Sequence, residues 1–177
     1  MAEMFLARRS LLTLLLLTLL SLPATTQSSP SLHPNDWEPP LRSADIAREF
    51  AAPPAPWARG HRGLDLGAPA KAQIRSPADG VVSFSGTVVN RHVLSINHGN
   101  GYISSFEPIE TDLNDGDPVS QEQPIGHLNT YDDGTHHCDS PCLHWGVRHH
   151  GQYINPMLLL GPVEPSVLLP LHETTEP

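Results

Sequence analysis

The chain has 177 residues, with 10 Lys and Arg against 19 Asp and Glu, a net charge of −9. This acidic balance argues against nucleic-acid binding, which requires a basic face, and the length suits one domain. The 19 Pro and 13 Gly are too many turn formers for a helical bundle or coiled coil. Two cysteines are too few for a small disulfide scaffold, whereas eleven histidines justify a search for a metal site.

Residues 1–26 have the order of a secretory signal. Arg8 and Arg9 precede the leucine-rich run Leu11–Leu20, and Pro23 and Ala24 end it. We predict a signal peptide and therefore a secreted or cell-envelope protein. The alternative is an uncleaved anchor, but the run is shorter than the ~20 residues of a membrane span. We therefore expect no stable membrane span after signal removal.

The rest of the chain divides by composition into a central domain and two flanks. Residues 27–56 are predicted to be a Pro-rich linker, with a possible short helix over Ser43–Phe50 that Ser43 would cap. Residues 57–160 are predicted to form the domain. Residues 161–177, rich in Pro and Glu, are predicted to be a flexible tail.

Turn signals and short alternating segments follow one another through residues 57–160. We predict turns at Pro77–Gly80, Asn100–Gly101 and Asp115–Gly116. Short strands are predicted between and after them, at Val81–Phe84, His92–His98, Tyr102–Ile109, Pro124–Gly126 and Leu143–His149. Because this segment lacks a sustained 3.6-residue apolar period, we predict an all-β fold of short antiparallel strands.

Two segments carry candidate metal ligands. His61 and Asp65 are four residues apart, so in a strand they would share a face, and both side chains are good zinc ligands. The alternative is a His–Asp hydrogen bond in a turn. In the second segment, Leu143 alternates with Cys142 and His144, which places His144 on the face opposite the core. The alternative is a surface histidine on an edge strand.

Together these segments resemble the lysostaphin/LytM-type zinc metallopeptidases. The intermediate stretches Ser76–Val81, Asn97–Gly101 and Gly116–Gly126 share the resemblance, which covers most of residues 57–160. It implies a small antiparallel β-sheet or barrel-like core with a groove over the sheet. It also implies Zn²⁺ held by His61, Asp65 and His144, with water in the fourth position, and action on peptide cross-links of bacterial peptidoglycan.

The chain departs from this family at two positions. Active members carry two further histidines, and here Cys142 and Pro108 occupy those positions. This pattern resembles a subgroup lacking both usual catalytic histidines. His136 and His137 are the candidate substitutes, since they lie in a polar loop just before Cys138. Glu107 precedes the vacant position 108 but is expected to point to the opposite face of its strand.

The two cysteines allow three interpretations. Cys138 and Cys142 could form a disulfide, which an oxidising compartment favours. The alternatives are a second metal site made with a nearby histidine, and Cys142 as a fourth zinc ligand that closes the site. We predict the disulfide.

Two classes of function follow from these predictions. The first is an exported zinc metalloendopeptidase that cuts cell-wall peptides. The second is a catalytically inactive wall-binding module, or an activator of another cell-wall hydrolase. A histidine within hydrogen-bond reach of the zinc-bound water would favour the enzyme, and a dry or four-ligand zinc site would favour the module.

Overall fold

The computed structural model describes residues 36–135 and 137–161, and in them the fold is almost entirely β. Two antiparallel sheets contain all the strands. Their bounds are β1 Asp45–Arg48, β2 Leu64–Gly67, β3 Gln73–Arg75, β4 Gly80–Val88, β5 Arg91–Gly99, β6 Tyr102–Glu107, β7 Ile109–Glu110, β8 Pro118–Val119, β9 Pro124–Leu128, β10 Cys142–His149 and β11 Gln152–Ile154. A single 3₁₀ turn, Pro156–Leu159, is the helical element of the described residues. The predicted all-β fold is confirmed.

The larger sheet carries the strand order β1-β2-β10-β6-β5-β4-β8, with β11 also pairing β10. The smaller sheet has the order β3-β9-β7. The predicted Asn100–Gly101 turn joins β5 to β6, and both residues have positive φ, at 49° and 82°. A two-residue type I′ turn requires this conformation at both positions, because its twist matches that of the paired strands.

One hydrophobic core lies between the sheets. Alternate residues of β10, namely Leu143, Trp145 and Val147, are fully buried in it. The smaller sheet contributes buried residues to the same cluster, among them Ile74 and Ile125. Each such side chain gains roughly 1.5–3 kcal/mol from burial, so β10 is anchored through its apolar face. Its other face is thereby left for polar residues.

The core extends further toward the N-terminus than the sequence predicts. Trp37 and Leu41, within the predicted 27–56 linker, are 3% and 6% exposed and belong to the core cluster. The Trp37 amide donates to the carbonyl of Leu159, and its ring lies 4.5 Å from that of His98. A linker assignment is therefore wrong for these residues. Composition indicated a polar segment, whereas two large apolar side chains suffice to bind it to the domain.

The predicted short helix over Ser43–Phe50 is also wrong. The structure has strand β1 there, paired antiparallel with β2 through Asp45–Gly67 and Ile46–Leu66. An eight-residue helix is marginal in water, and a strand gains hydrogen bonds along the open edge of β2. Tertiary pairing therefore outweighs the capping signal.

The predicted signal peptide, residues 1–26, lies outside the described residues, as does the predicted tail beyond residue 161. Within residues 36–135 and 137–161, no helix has the length and apolarity needed to cross a bilayer.

His98 is a buried polar residue in this fold, with 5% exposure. Its Nδ1 donates to the Asp79 carbonyl at 2.8 Å, and its Nε2 lies 2.6 Å from the Ser104 hydroxyl. Burial disfavours the charged imidazolium and lowers the pKa of His98 to about 4, although the bond to the Asp79 carbonyl opposes the shift. The fold thus holds His98 neutral.

Acid should destabilise the domain through His98. The folded-state pKa is about 4 and the reference value is 6.5, so on acidification the unfolded chain binds a proton first. The stabilisation is complete above that reference value and disappears as the pH falls through 4. Between pH 7 and 4.5 the loss is about 2 kcal/mol of unfolding free energy, measurable by urea denaturation of metal-free protein.

The control for this prediction is His98→Gln, which cannot titrate. Its unfolding free energy should depend less on pH over the same interval, by roughly that 2 kcal/mol. Equal pH dependence of the two proteins would show that His98 is not the group responsible.

Candidate metal centre

The register of the larger sheet brings the predicted ligands together. His144 of β10 is the cross-strand partner of Asp65 in β2. His61 precedes β2 and forms an isolated bridge with Ala51. The Asp65 Oδ1 lies 2.7 Å from His144 Nδ1 and 3.1 Å from His61 Nε2, and the two imidazole nitrogens are 3.3 Å apart. His144 lies on a strand between β2 and β6, so it is not on an edge strand.

This donor set fits a divalent metal ion. Ligand atoms about 2.0–2.1 Å from a tetrahedral zinc are separated by roughly 3.3–3.4 Å. The separations of 3.1 and 3.3 Å that involve His61 are close to this, and the 2.7 Å between Asp65 and His144 is a hydrogen-bond distance that would lengthen around an ion. The other ring nitrogen of His61, Nδ1, donates to the Glu49 carbonyl at 2.7 Å. That bond fixes the tautomer and leaves the Nε2 lone pair facing the site, as ligating histidines require.

Asp65 is the centre of the cluster. The carboxylate is almost fully buried, which by itself would raise its pKa. Hydrogen bonds and charge interactions with His137 and His144 outweigh burial and hold the pKa of Asp65 well below its usual range. The carboxylate is therefore anionic at neutral pH, as a metal ligand must be.

Of the two candidate substitute histidines, the structure brings His137 to the site. Its Nε2 lies 3.0 Å from Asp65 Oδ1, and its Nδ1 lies 3.0 Å from the Tyr131 hydroxyl. The side chain is 27% exposed, so it stands at the rim of the cluster. His136 lies outside the described residues.

The cysteines form a disulfide beside this histidine. Cys138 and Cys142 have Cα atoms 6.2 Å apart, within the range that a disulfide allows. The Cys142 sulfur lies 3.5 Å from His137 Nε2. His137, Cys138 and Cys142 are close enough to form a second metal cluster, but both sulfurs are already bonded to each other. The disulfide thus takes both thiolates out of competition for a metal.

Glu107 points toward the site, and the expectation that it points away is wrong. It is the cross-strand partner of His144, and directly opposed residues of an antiparallel pair project from the same face. Phe106 points into the core, and successive side chains of a strand alternate between its faces, so Glu107 points to the opposite face, toward the site. The prediction was wrong because it took position 108 as the residue that faces the site. Across the larger sheet, one row therefore contains Arg48, Asp65, His144 and Glu107.

Glu107 forms an ion pair with Arg91, a residue that was not predicted to belong to the site. Arg91 Nη2 donates to Glu107 Oε1 at 3.1 Å, and the Nε lies 3.1 Å from Oε2. The guanidinium carbon lies 5.6 Å from the centre of the Tyr131 ring, and Tyr131 contacts His137. A continuous set of polar contacts therefore runs from Glu107 to the metal cluster. No motif marks Arg91 or Tyr131 in the sequence, because their partners come from other strands and loops.

Three side chains on a β-sheet are thus placed where they could hold one metal ion. The model of peptidase family M23 matches residues 59–156, which include all three candidate ligands. The chain belongs to peptidase family M23.

Individual M23 relatives are longer than this chain. An uncharacterised protein of Mycobacterium tuberculosis is 33% identical over 127 residues, covering 68% of this chain and 50% of that protein. The DD-carboxypeptidase/endopeptidase Mpg of Neisseria meningitidis serogroup B is 29% identical over 123 residues, 66% of this chain and 24% of Mpg. The chain thus spans half or less of the curated relatives it matches.

A solved structure agrees with the assignment. Csd3 of Helicobacter pylori superposes with a TM-score of 0.58 at 26% identity, over 73% of this chain and 36% of Csd3. The resemblance to the lysostaphin/LytM-type peptidases is confirmed at the level of fold and family.

Removing one ligand should abolish stoichiometric metal binding. We expect the purified wild-type protein to bind one zinc ion and His144→Ala to bind none. The variant keeps only two of the three candidate ligands, whereas protein zinc sites use three or four. His127→Ala is the matched control, since His127 is exposed on β9 of the other sheet. Elemental analysis after gel filtration measures the ratio, and tight zinc binding by His144→Ala would contradict the assignment.

Proposed function

We propose that the protein is an exported zinc metalloendopeptidase that acts on peptide cross-links of bacterial peptidoglycan. The observation that carries the proposal is the convergence of His61, Asp65 and His144 in a chain of peptidase family M23. The Neisseria relative, named as a DD-carboxypeptidase/endopeptidase, supports a peptide substrate of this kind. Export rests on the signal-like residues 1–26.

Zinc in such a site supplies Lewis acidity, which polarises a carbonyl and makes water more acidic. Asp65 and the two ligand histidines hold the ion, and the described protein offers three ligand atoms to it. Three protein ligands with an open position are typical of catalytic zinc, whereas structural zinc has four. The ligand set therefore favours hydrolysis over a purely structural role.

His137 is the group that we assign to proton transfer. The family positions that usually carry histidine are occupied by Pro108 and Cys142. His137 Nε2 lies 3.0 Å from Asp65 Oδ1, so this nitrogen stands beside the cluster. In the structure Nε2–H faces Asp65 Oδ1; when that carboxylate instead holds the ion, Nδ1–H can donate to the Tyr131 oxygen, and the Nε2 lone pair can then accept a proton from the attacking water. In that tautomer Tyr131 orients the His137 ring.

Loss of both usual histidines supports the second candidate, a wall-binding module or activator of another hydrolase. General acid–base groups contribute typically 10²–10⁴-fold each, so without a substitute the chain would be a very slow enzyme. In that case the metal would brace the sheet, and the same surface would bind peptidoglycan without cutting it.

Incubation with purified peptidoglycan separates the two candidates. We expect the zinc-loaded, oxidised protein to release new amino termini. His137→Gln should lower the rate by roughly 10²-fold or more with zinc content unchanged. Tyr131→Phe should lower kcat more than it raises KM, because it disturbs a proton position and leaves substrate contacts in place.

His127→Gln is the matched control and should retain the wild-type rate. Sedimentation of the protein with peptidoglycan, without release of amino termini, would overturn the enzyme and establish the binding module. Full activity of His137→Gln would leave the enzyme but remove His137 from its mechanism.

A further inference from the structure

Two arginines have no partner among the residues that the structure describes. Among the Lys and Arg of residues 36–135 and 137–161, six are engaged by a carboxylate, a carbonyl or an aromatic ring: Arg42, Arg62, Lys71, Arg75, Arg91 and Arg148. Arg48 and Arg59 make no such contact within the described residues. Both are exposed, and both line the same cavity.

That cavity measures about 480 Å³. It is lined by Arg48, Pro56, Trp57, Ala58, Arg59, Gly60 and Arg62. Trp57 is 88% exposed, which leaves a large aromatic surface uncovered beside two unpaired cations. We call this cavity the arginine pocket. Its size suits a few atoms of a peptide terminus or side chain, not a whole protein surface.

The arginine pocket is connected to the metal cluster through Arg48. Arg48 is the cross-strand partner of Asp65, and it also lines a second cavity that contains Asp65 and His137. Gly60 of the pocket wall immediately precedes His61 in the chain. A peptide that lies across the metal cluster can therefore extend into the arginine pocket on the side of Arg48.

The frame of the pocket is fixed by internal contacts. Arg62 Nη2 donates to the carbonyls of Pro56 and Ala58, at 2.8 and 3.2 Å. The Ala51 and His61 backbones exchange two hydrogen bonds. A Cβ at Gly60 would come within 2.7 Å of the Ala51 carbonyl oxygen, so this close packing requires glycine. Arg62 thus holds the loop, and Arg48 and Arg59 are left to bind a ligand.

We propose that the arginine pocket binds a free carboxylate of the peptide substrate, with Trp57 covering the adjoining residue. Guanidinium is the side chain best matched to a carboxylate, since its planar donors bind both oxygens. In a chain of net charge −9, two unpaired arginines give an anionic peptide a local site of opposite sign. This inference rests on the proposed function and adds its substrate class, peptides that bear a carboxylate close to the scissile bond.

Binding can be tested apart from catalysis by working with the metal-free full-length protein. Chelation prevents hydrolysis and prevents the carboxylate from binding the metal. The probes are acetyl-Lys-D-Ala-D-Ala with a free C-terminus and the same peptide as its carboxamide. We expect the acid to bind about tenfold more tightly by calorimetry, because the carboxamide loses the charge-assisted hydrogen bonds to guanidinium.

The variants identify the pocket. Arg48→Gln and Arg59→Gln should each reduce the preference for the acid, and the double variant should remove it. Arg42→Gln, which changes the charge equally in an exposed pair with Glu122, should retain it. Trp57→Ala should weaken both peptides alike.

A third probe, an amidated peptide with Glu in place of the last D-Ala, shows whether a side-chain carboxylate is accepted as well. Tighter binding than its Gln counterpart, lost in the double variant, would extend the pocket to acidic side chains. Two results would overturn the proposal. One is that the free acid binds no better than its carboxamide and the Glu peptide no better than the Gln peptide; the other is that the double variant keeps the preference for the acid. Because no metal is present, neither result depends on whether the protein cuts peptidoglycan.

Discussion

The antiparallel register of four neighbouring strands is the constraint on which the site depends. It aligns Arg48, Asp65, His144 and Glu107 in one row across β1, β2, β10 and β6. A shift of one residue in β10 would turn every side chain of that strand to the other face. The buried Trp145 next to His144 prevents such a shift, because it would have to leave the core. Packing on one face therefore determines the chemistry of the other.

One further residue of the site, His137, comes from the loop that precedes β10. His137 is not on a strand, and its position depends on Tyr131 and on the disulfide that begins at the next residue. A loop side chain such as His137 can serve in a functional site only if other contacts hold it in place, since such sites require closely defined geometry. The disulfide does this while keeping the Cys142 sulfur from acting as a ligand. The disulfide thus positions His137 beside the cluster that we propose to bind zinc.

The sequence predicts the parts of this arrangement that depend on local pattern. Alternation and turn residues indicated the strands, and motif spacing indicated His61, Asp65 and His144 as candidate ligands, which the structure brings together. The side-chain direction of Glu107 and the roles of Arg91 and Tyr131 depend on pairing between distant segments, which no local pattern records. The same reason explains Trp37, whose burial is created by contacts with the far end of the domain. Composition alone described its surroundings as a linker.

X-ray absorption at the zinc edge tests the central claim, an open metal centre kept free of sulfur. The oxidised, zinc-loaded protein should show a shell of nitrogen and oxygen only, containing two imidazoles. Reduction of the disulfide should add a sulfur at about 2.3 Å, because the freed Cys142 thiolate lies on the same face as His144. Sulfur in the shell of the oxidised protein, or fewer than two imidazoles, would contradict the account.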